Sequence, residues 1–417
     1  MPDNALKQPF ALKVALAAYN LLWKGAKPFL YPNSRLRQGW NERTVRSCPQ
    51  GPFDVWIQAA SVGESYLALE LLRTSPFPVR SLITTCTSQG LNILRAKQTE
   101  LGFTCTYFPF DAKDLLKKFI CAARPALALL LETEIWPSML QVCRQENIPV
   151  CVVNARMSAR SFSRYRLLRF LLAHLSPDQI LALSRHDQQR FQTLFPVAKT
   201  AVMGNIKFDS FLRQKKIPCS QNPLATFLGP TTPPTVFASV REEEEETIFE
   251  TISTIRTQAP STVMAVVPRH AHRVTAWQDR LREYAPALRS ELKHHVAAGS
   301  IIIWDTFGEL SALYALARHV FVGGSLAPLG GQNFLEPLAQ GVRPVIGPYW
   351  DNFLWVGEEI FEQGLVRQVA SARELAAAFL SAPDSNPKDI IDRAKNYAEK
   401  KGGGCKQVWQ MVQNIQQ

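Results

Sequence analysis

The sequence withholds the usual signs of disulfide and metal chemistry. Its eight cysteines, at positions 48, 86, 105, 121, 143, 151, 219 and 405, form no C-x-x-C pair and no metal-ligand grouping. Several stand in apolar, strand-like runs, as Cys151 does in Pro-Val-Cys-Val-Val. There a free thiol is simply a small core residue, so a reducing compartment is expected. Neither G-x-G-x-x-G nor G-x-x-x-x-G-K-[ST] occurs, which removes the motif-based case for a dinucleotide or P-loop site. Asp-x-Asp is missing as well, and no internal repeat or low-complexity tract stands out. Acid is scarce relative to base: 35 Asp+Glu against 47 Lys+Arg leave a formal charge of +12, which favours anionic partners. With no zinc-finger spacing, Lys/Arg-rich arm or aromatic RNA-binding signature, nucleic acid is not the expected one. Acidic lipid and phosphorylated substrates remain.

Long apolar runs are also lacking. Between Lys13 and Lys24 the chain reads Val-Ala-Leu-Ala-Ala-Tyr-Asn-Leu-Leu-Trp. That is about half of the ~20 residues a spanning helix needs, and without a small-residue cleavage pattern no signal peptide is expected. Tyr19 and Trp23 lie on this apolar helix, and Arg35, Arg37, Arg43 and Arg46 follow it. The combination suits a helix lying in a membrane interface, over residues 1–35, with basic groups meeting anionic headgroups. An amphipathic helix packed on its own domain would show the same pattern.

What is present is the composition of an ordinary globular protein, 46% hydrophobic and 20% charged. At 417 residues it exceeds one core and predicts two domains. Short apolar runs at 55–60, 79–85, 104–108, 126–131, 150–153 and 179–182 alternate with helix-like segments. A second series follows at 235–238, 262–267, 300–304, 320–322 and 345–347. This rhythm predicts an α/β protein with two parallel, doubly wound sheets: residues 36–211, a proline-rich linker at 212–234, residues 235–395, and a C-terminal helical segment at 396–417 interrupted by Gly402-Gly403-Gly404. Twin Rossmann-like domains would hold ligands in an inter-domain cleft at the carboxyl ends of their strands. Glycosyltransferases, some epimerases and dehydrogenases are built so.

Strand-to-helix turns supply the candidate residues. Glu64, in Ala60-Ser61-Val62-Gly63-Glu64, falls at a helix start, where a carboxylate can act as general base or simply favour the helix dipole. Leu131-Glu132-Thr133-Glu134-Ile135-Trp136-Pro137 sets two carboxylates beside a tryptophan whose apolar bulk would tune one of them, or the two could orient a cationic group. In the second domain Pro268-Arg269 ends a strand, and Arg269 could clamp a phosphate or a base edge. Asp305-Thr306-Phe307-Gly308-Glu309 offers backbone N–H groups in another such turn. Gly323-Gly324 and Gly330-Gly331, before Asn333-Phe334-Leu335-Glu336-Pro337, read as an anion-binding concavity at a helix start, with Glu336 able to take ribose hydroxyls. A glycine-rich turn needed only for packing is the alternative.

Taken in order, Ala60–Glu64, Glu132–Pro137, Asn154-Ala155-Arg156-Met157-Ser158, Gly204-Asn205-Ile206-Lys207-Phe208-Asp209, Pro268-Arg269-His270, Gly308-Glu309-Leu310 and Gly323–Glu336 resemble the Kdo transferases. These move 3-deoxy-D-manno-octulosonic acid (Kdo) from CMP-Kdo to the lipid A precursor during lipopolysaccharide assembly. The resemblance spans roughly residues 55–353 and departs from the family at Gln58 and Gln332, where histidine is usual, at Phe307, where methionine is, and at Ser239-Val240. It implies a GT-B fold, inversion at the Kdo anomeric carbon, no cofactor and no metal. By position in the motifs it implies Glu64 as catalytic base, with Glu134 and Lys207 as transition-state stabilisers. It further implies a CMP site of Pro268, Arg269, Phe307, Gly308, Glu309, Asn333, Phe334, Leu335 and Glu336. The expected acceptor is tetra-acylated lipid A precursor, receiving one or more Kdo units at the cytoplasmic face of the inner membrane. A UDP-sugar transferase, a nucleotide-sugar epimerase and a basic adaptor are the rival readings.

Overall fold

In the computed structural model, residues 10–229, 231–382 and 386–416 are described. The chain divides into two compact units, Met1–Ser210 with Lys401–Gln417, and Phe211–Lys400.

In the first unit, short runs rich in leucine and β-branched residues form β1 (Val55–Gln58), β2 (Ser81–Thr85), β3 (Thr104–Tyr107), β4 (Ala128–Leu131), β5 (Val150–Ala155), β6 (Gln179–Ala182) and β7 (Lys199–Val202). They pair in parallel in the order β3-β2-β1-β4-β5-β6-β7. Successive side chains point to opposite faces, so each central strand feeds two cores. Trp56, Leu82, Leu130 and Val152 enter one; Ile57, Ile83, Leu129 and Val153 enter the other. The alternating apolar signal predicted this sheet. It missed β7, whose residues are mostly exposed and lack an apolar run.

The helix Phe10–Leu30 packs on its own domain along one stripe. Leu12 and Leu16 are buried in the first core, Trp23 packs against it, and the Tyr19 hydroxyl donates to buried Asp111 at 2.9 Å. The opposite stripe, with Phe10, Val14, Leu21, Leu22 and Phe29, is exposed. The part of the expectation covering residues 1–9 lies outside the described residues. No helix among those described is long and apolar enough to cross a membrane.

The second unit repeats the design with β8 (Thr235–Val240), β9 (Met264–Pro268), β10 (Ala287–Leu288), β11 (Ile301–Ile303), β12 (His319–Val322), β13 (Pro344–Ile346) and β14 (Arg367–Gln368). All pair in parallel, in the order β10-β11-β9-β8-β12-β13-β14. The two-residue edge strands β10 and β14 are too short to leave a hydrophobic pattern.

Two domain boundaries need correction. The 212–234 segment, expected as a linker, belongs to the second unit: Leu224 and Leu228 are fully buried, and Asn222 Nδ2 donates to the Ala312 carbonyl at 2.7 Å. Nor do residues 396–417 form one appendage. The helix Pro387–Lys401 buries Ile390 and Ala394 in the second unit, while Gly404–Gln416 returns to the first, burying Val408 and Trp409 beneath its sheet. The glycine triplet makes the return possible. A Cβ on Gly204 would stand 1.8 Å from the Gly402 carbonyl oxygen, and one on Gly404 2.2 Å from that of Gly204. Two backbones thus cross where no side chain fits. Asp209 then caps the final helix, accepting from the Gly403 and Cys405 amides at 2.5 and 2.7 Å.

Candidate functional site

In the first sheet β1 and β4 are neighbours although β2 and β3 intervene in sequence, so the chain winds outward in opposite directions from this pair. Ligands of open α/β sheets bind beyond the carboxyl ends of strands at such a switch point. The loops after β1 and β4 carry Glu64, Glu132 and Glu134.

Ser61 caps the helix Val62–Arg73, its hydroxyl accepting from the Glu64 amide at 3.3 Å. The Glu64 carboxylate folds back, taking the Ser61 hydroxyl at 2.8 Å and the Ala60 amide at 2.7 Å. This is close to a capping box, with the carboxylate taking the amide one residue before the cap, so Glu64 does help start the helix. It is also buried, and burial outweighs the two hydrogen bonds to push its carboxyl above the ordinary range. Glu134 is pushed further, to about 7, first by burial and then by the negative charge of Glu64; its bond from the Trp136 indole at 2.5 Å opposes the rise. Two carboxyls held this close do not ionise independently.

Glu132, one of the two carboxylates expected either to be tuned by the tryptophan or to orient a cationic group, does the latter. It follows β4 in the left-handed region (φ 57°), and its carboxylate takes Arg156 Nη2 at 2.6 Å and Lys207 Nζ at 3.0 Å. Asn154, at the end of β5, is likewise left-handed (φ 53°), and its Oδ1 caps the helix Ile206–Arg213 by accepting from the Ile206 amide at 3.1 Å. Strained conformations of this kind cost about 1–3 kcal/mol each and gather at functional sites. The available signal was the Glu-x-Glu spacing, of which the resemblance assigned a role only to the second member. The expected Glu64, Glu134 and Lys207 are therefore gathered at the carboxyl end of the first sheet, with Glu132 and Arg156 linking the carboxylate pair to the cation.

In the second unit Pro268, Arg269, Phe307, Gly308 and Glu309 line one small cleft with Ser239, Trp304 and Asp305, at the carboxyl ends of β8, β9 and β11. Arg269 is exposed and makes no ion pair among the described residues. Glu309, by contrast, is fully engaged. Its carboxylate accepts from Arg289 at 2.9 and 3.1 Å, from the Trp304 indole at 3.0 Å and from the Thr306 hydroxyl. It anchors the loop, and the surface offered to a ligand is Phe307 and Gly308, the latter at φ 84° facing open space. Asn333, Phe334, Leu335 and Glu336 do not line this cleft. Phe334 and Leu335 are buried, Phe334 against Trp350 and Phe353, so their side chains serve the core. Glu336 accepts from Asn333 Nδ2 at 2.8 Å, and burial raises its carboxyl.

The expected anion cradle at Gly323–Leu326 exists, but the protein fills it itself. The buried Glu244 carboxylate accepts from the amides of Gly324, Ser325 and Leu326 at 2.6, 2.8 and 2.7 Å. A run of N–H groups in a glycine turn attracts an anion wherever one comes from, and here it comes from the acidic Glu242–Glu246 stretch that follows β8. Gly323 is required because a Cβ would meet the Ser239 carbonyl oxygen at 2.5 Å. Ser239 is itself left-handed (φ 55°).

A family model described as 3-deoxy-D-manno-octulosonic-acid transferase (kdotransferase) matches residues 36–210. A 3-deoxy-D-manno-octulosonic acid transferase of Haemophilus influenzae is 32% identical over 359 residues, covering 82% of each chain. Its counterpart in Bordetella pertussis is 30% identical, covering 76% of this chain and 77% of that one. Among solved structures, a glycosyltransferase from Rickettsia africae superposes with a TM-score of 0.55 at 10% identity, covering 88% of this chain and 99% of that one. A putative UDP-N-acetylglucosamine 2-epimerase from Listeria monocytogenes gives 0.55 at 14%, covering 85% and 93%. At such identities these two speak for the twin Rossmann-like, GT-B fold alone.

Proposed function

The chain belongs to the 3-deoxy-D-manno-octulosonic-acid transferase family, glycosyltransferases of lipopolysaccharide biosynthesis, and from that premise we propose that it transfers Kdo from CMP-Kdo to a tetra-acylated lipid A precursor with inversion. The acceptor is assigned to the first unit and the donor to the second. The observation that carries this is the carboxyl pair of buried Glu64 and half-buried Glu134, both raised above the ordinary carboxylate range beside the Glu132–Lys207–Arg156 cluster. A general base works best when its pKa lies near the working pH.

Glu64 takes the proton of an acceptor sugar hydroxyl while that oxygen forms a bond to the Kdo anomeric carbon. The carbon–oxygen bond to CMP breaks on the opposite face, and CMP leaves with the bonding pair on its phosphate. One displacement inverts the centre, and one base suffices. Glu134, holding a proton near neutrality, keeps Glu64 from facing a second full negative charge. Lys207 and Arg156, oriented by Glu132, lower the energy of negative charge developing near them. On the second unit Arg269 is the cation available to the donor phosphate, and the exposed Phe307-Gly308 backbone turn adds N–H groups. The Gly323–Leu326 cradle has no such role, since Glu244 occupies it.

Because cationic side chains already meet the leaving phosphate in this scheme, no metal is invoked. The exposed stripe of the N-terminal helix supports peripheral attachment to the cytoplasmic face of the inner membrane, where the acylated acceptor resides. Incubation with CMP-Kdo and tetra-acylated lipid A precursor, in EDTA and with magnesium, followed by mass spectrometry, tests the whole reading. Mass gains in whole Kdo units in both conditions are expected, and their number reports how many are added. Transfer from a UDP-sugar instead, or strict dependence on the metal, would overturn it.

A further inference from the structure

From Arg156 to Pro177 the chain carries five arginines and no acidic residue. Arg156 is committed to Glu132, and directly after it Ser158 caps the helix Ala159–Arg166, which a tight turn joins to the short helix Arg169–Leu172. One side of this helix pair is ordinary packing: Phe162, Tyr165 and Leu171 rest on the core that also holds Ile135 and Trp136, and Leu172 is buried in it. The other side is not. Leu167 is 80% exposed, Phe170 55% and Leu168 47%, three large apolar residues on the turn and the start of the second helix. Around them Arg160, Arg164, Arg166 and Arg169 are exposed, and none makes an ion pair among the described residues.

An apolar tip ringed by unpaired arginines matches one environment well. Acyl chains accept the tip, and lipid phosphates accept guanidinium groups that make no ion pair among the described residues. A protein partner would have to supply both an apolar pocket and several carboxylates. The chain's own acids are outnumbered by 47 to 35, which makes a second copy a poor complement.

We propose that the helix pair Ala159–Leu172 is a second membrane-docking element, separate from the N-terminal helix, in which Leu167, Leu168 and Phe170 enter an anionic bilayer interface and the four surrounding arginines bind its phosphates. Its position gives the docking a purpose. The helix hangs from the Asn154–Ser158 segment that bears Arg156, and Thr133, one residue before Glu134, donates through its hydroxyl to the Arg156 carbonyl. Tyr165, on the helix's inner side, is near enough to Glu134 that this charge adds to burial in raising its phenol. Docking there sets the carboxylate pair beside the surface from which a lipid acceptor arrives. That last consequence rests on the glycosyl-transfer reading; the docking itself does not.

The test uses the full chain with vesicles of phosphatidylcholine alone and of phosphatidylcholine with phosphatidylglycerol, read by co-sedimentation. Each basic group near such a surface contributes roughly 1 kcal/mol, a factor of about five in affinity. The variant Arg164→Gln/Arg166→Gln should therefore lose on the order of 25-fold in binding to the anionic vesicles. Leu167→Asp/Phe170→Asp should lose at least as much and retain wild-type melting, since both side chains are exposed. Transfer to a detergent-dispersed acceptor should survive in the aspartate variant while transfer on vesicles falls. Vesicle binding equal to wild type in both variants would overturn the docking. So would loss of self-association by sedimentation with vesicle binding intact, which would make the tip a contact between copies. Vesicle binding lost with no change in vesicle-based transfer would retain the docking and remove its link to the acceptor.

Discussion

Lys207 Nζ lies 3.0 Å from Glu132 Oε1, so the cation assigned to transition-state charge is held by a carboxylate 75 residues earlier in the chain. The same carboxylate takes Arg156 through its other oxygen. Glu132→Gln should leave two cations less well placed, lowering kcat by roughly ten- to a hundredfold. If the pair acts as a unit, Glu132→Gln and Lys207→Ala together should cost clearly less than the sum of the two. Strict additivity in a double-mutant cycle of kcat would show that Glu132 does not work through Lys207.

Glu64→Gln is expected to abolish transfer while leaving CMP affinity nearly unchanged. The amide retains the capping contacts in part, so the fold should persist, but it cannot accept the acceptor's proton. Loss of a general base lowers rate by roughly 10²–10⁴-fold. Turnover above half of wild type would remove Glu64 from the chemistry.

The raised carboxyls set a pH dependence. A base must be ionised, and with Glu64 raised above the ordinary carboxylate range, kcat/KM should fall along an acid limb lying above that range and level off once Glu64 is ionised. Replacing Glu132 by Gln removes the like charge that helps raise Glu64. The acid limb of the residual activity should therefore move to lower pH. An unshifted limb would mean the two carboxyls do not sense each other.

Two substitutions in the second unit should separate binding from scaffolding. Arg269→Ala is expected to weaken CMP binding by about 1.5–3 kcal/mol with little change in melting, since the side chain is exposed and unpaired. Glu244→Ala should instead lower the melting temperature, because three buried amides lose their acceptor at once. Calorimetric CMP affinity unchanged in the first, or wild-type melting in the second, would contradict these roles.

Asp111 ties the N-terminal helix to the first unit, and its carboxyl is raised by burial from the ordinary 3.8 to about 7. The folded state then holds this proton more tightly than the unfolded chain. Its stabilising contribution is present below pH 4 and is lost as pH rises through 7. Asp111→Asn should flatten the melting profile across that window. Deleting residues 1–30 should lower melting as well as vesicle binding, because the helix also buries Leu12 and Leu16. Unchanged melting after deletion would mean the helix serves the membrane alone.

Much of this protein was legible from sequence because the determining signals are local. Parallel strands buried on both faces leave short apolar runs, and strand-to-helix turns leave acids, glycines and prolines at fixed places, so two α/β domains were legible and Glu64, the Glu132–Glu134 pair and Arg269 stood out at such turns, while Lys207 was named only through the family resemblance. What stayed hidden depends on which distant segments meet. That Glu132 holds Lys207 and Arg156, that Glu244 fills the glycine cradle across some eighty residues, and that Glu309 is consumed by Arg289 are pairings of charge with no spacing rule. Whether Gly402–Gly404 merely interrupt a helix or let the chain return to its first domain is likewise invisible along the chain. It is decided by the approach of two backbones at Gly204, a contact that only the folded molecule brings about.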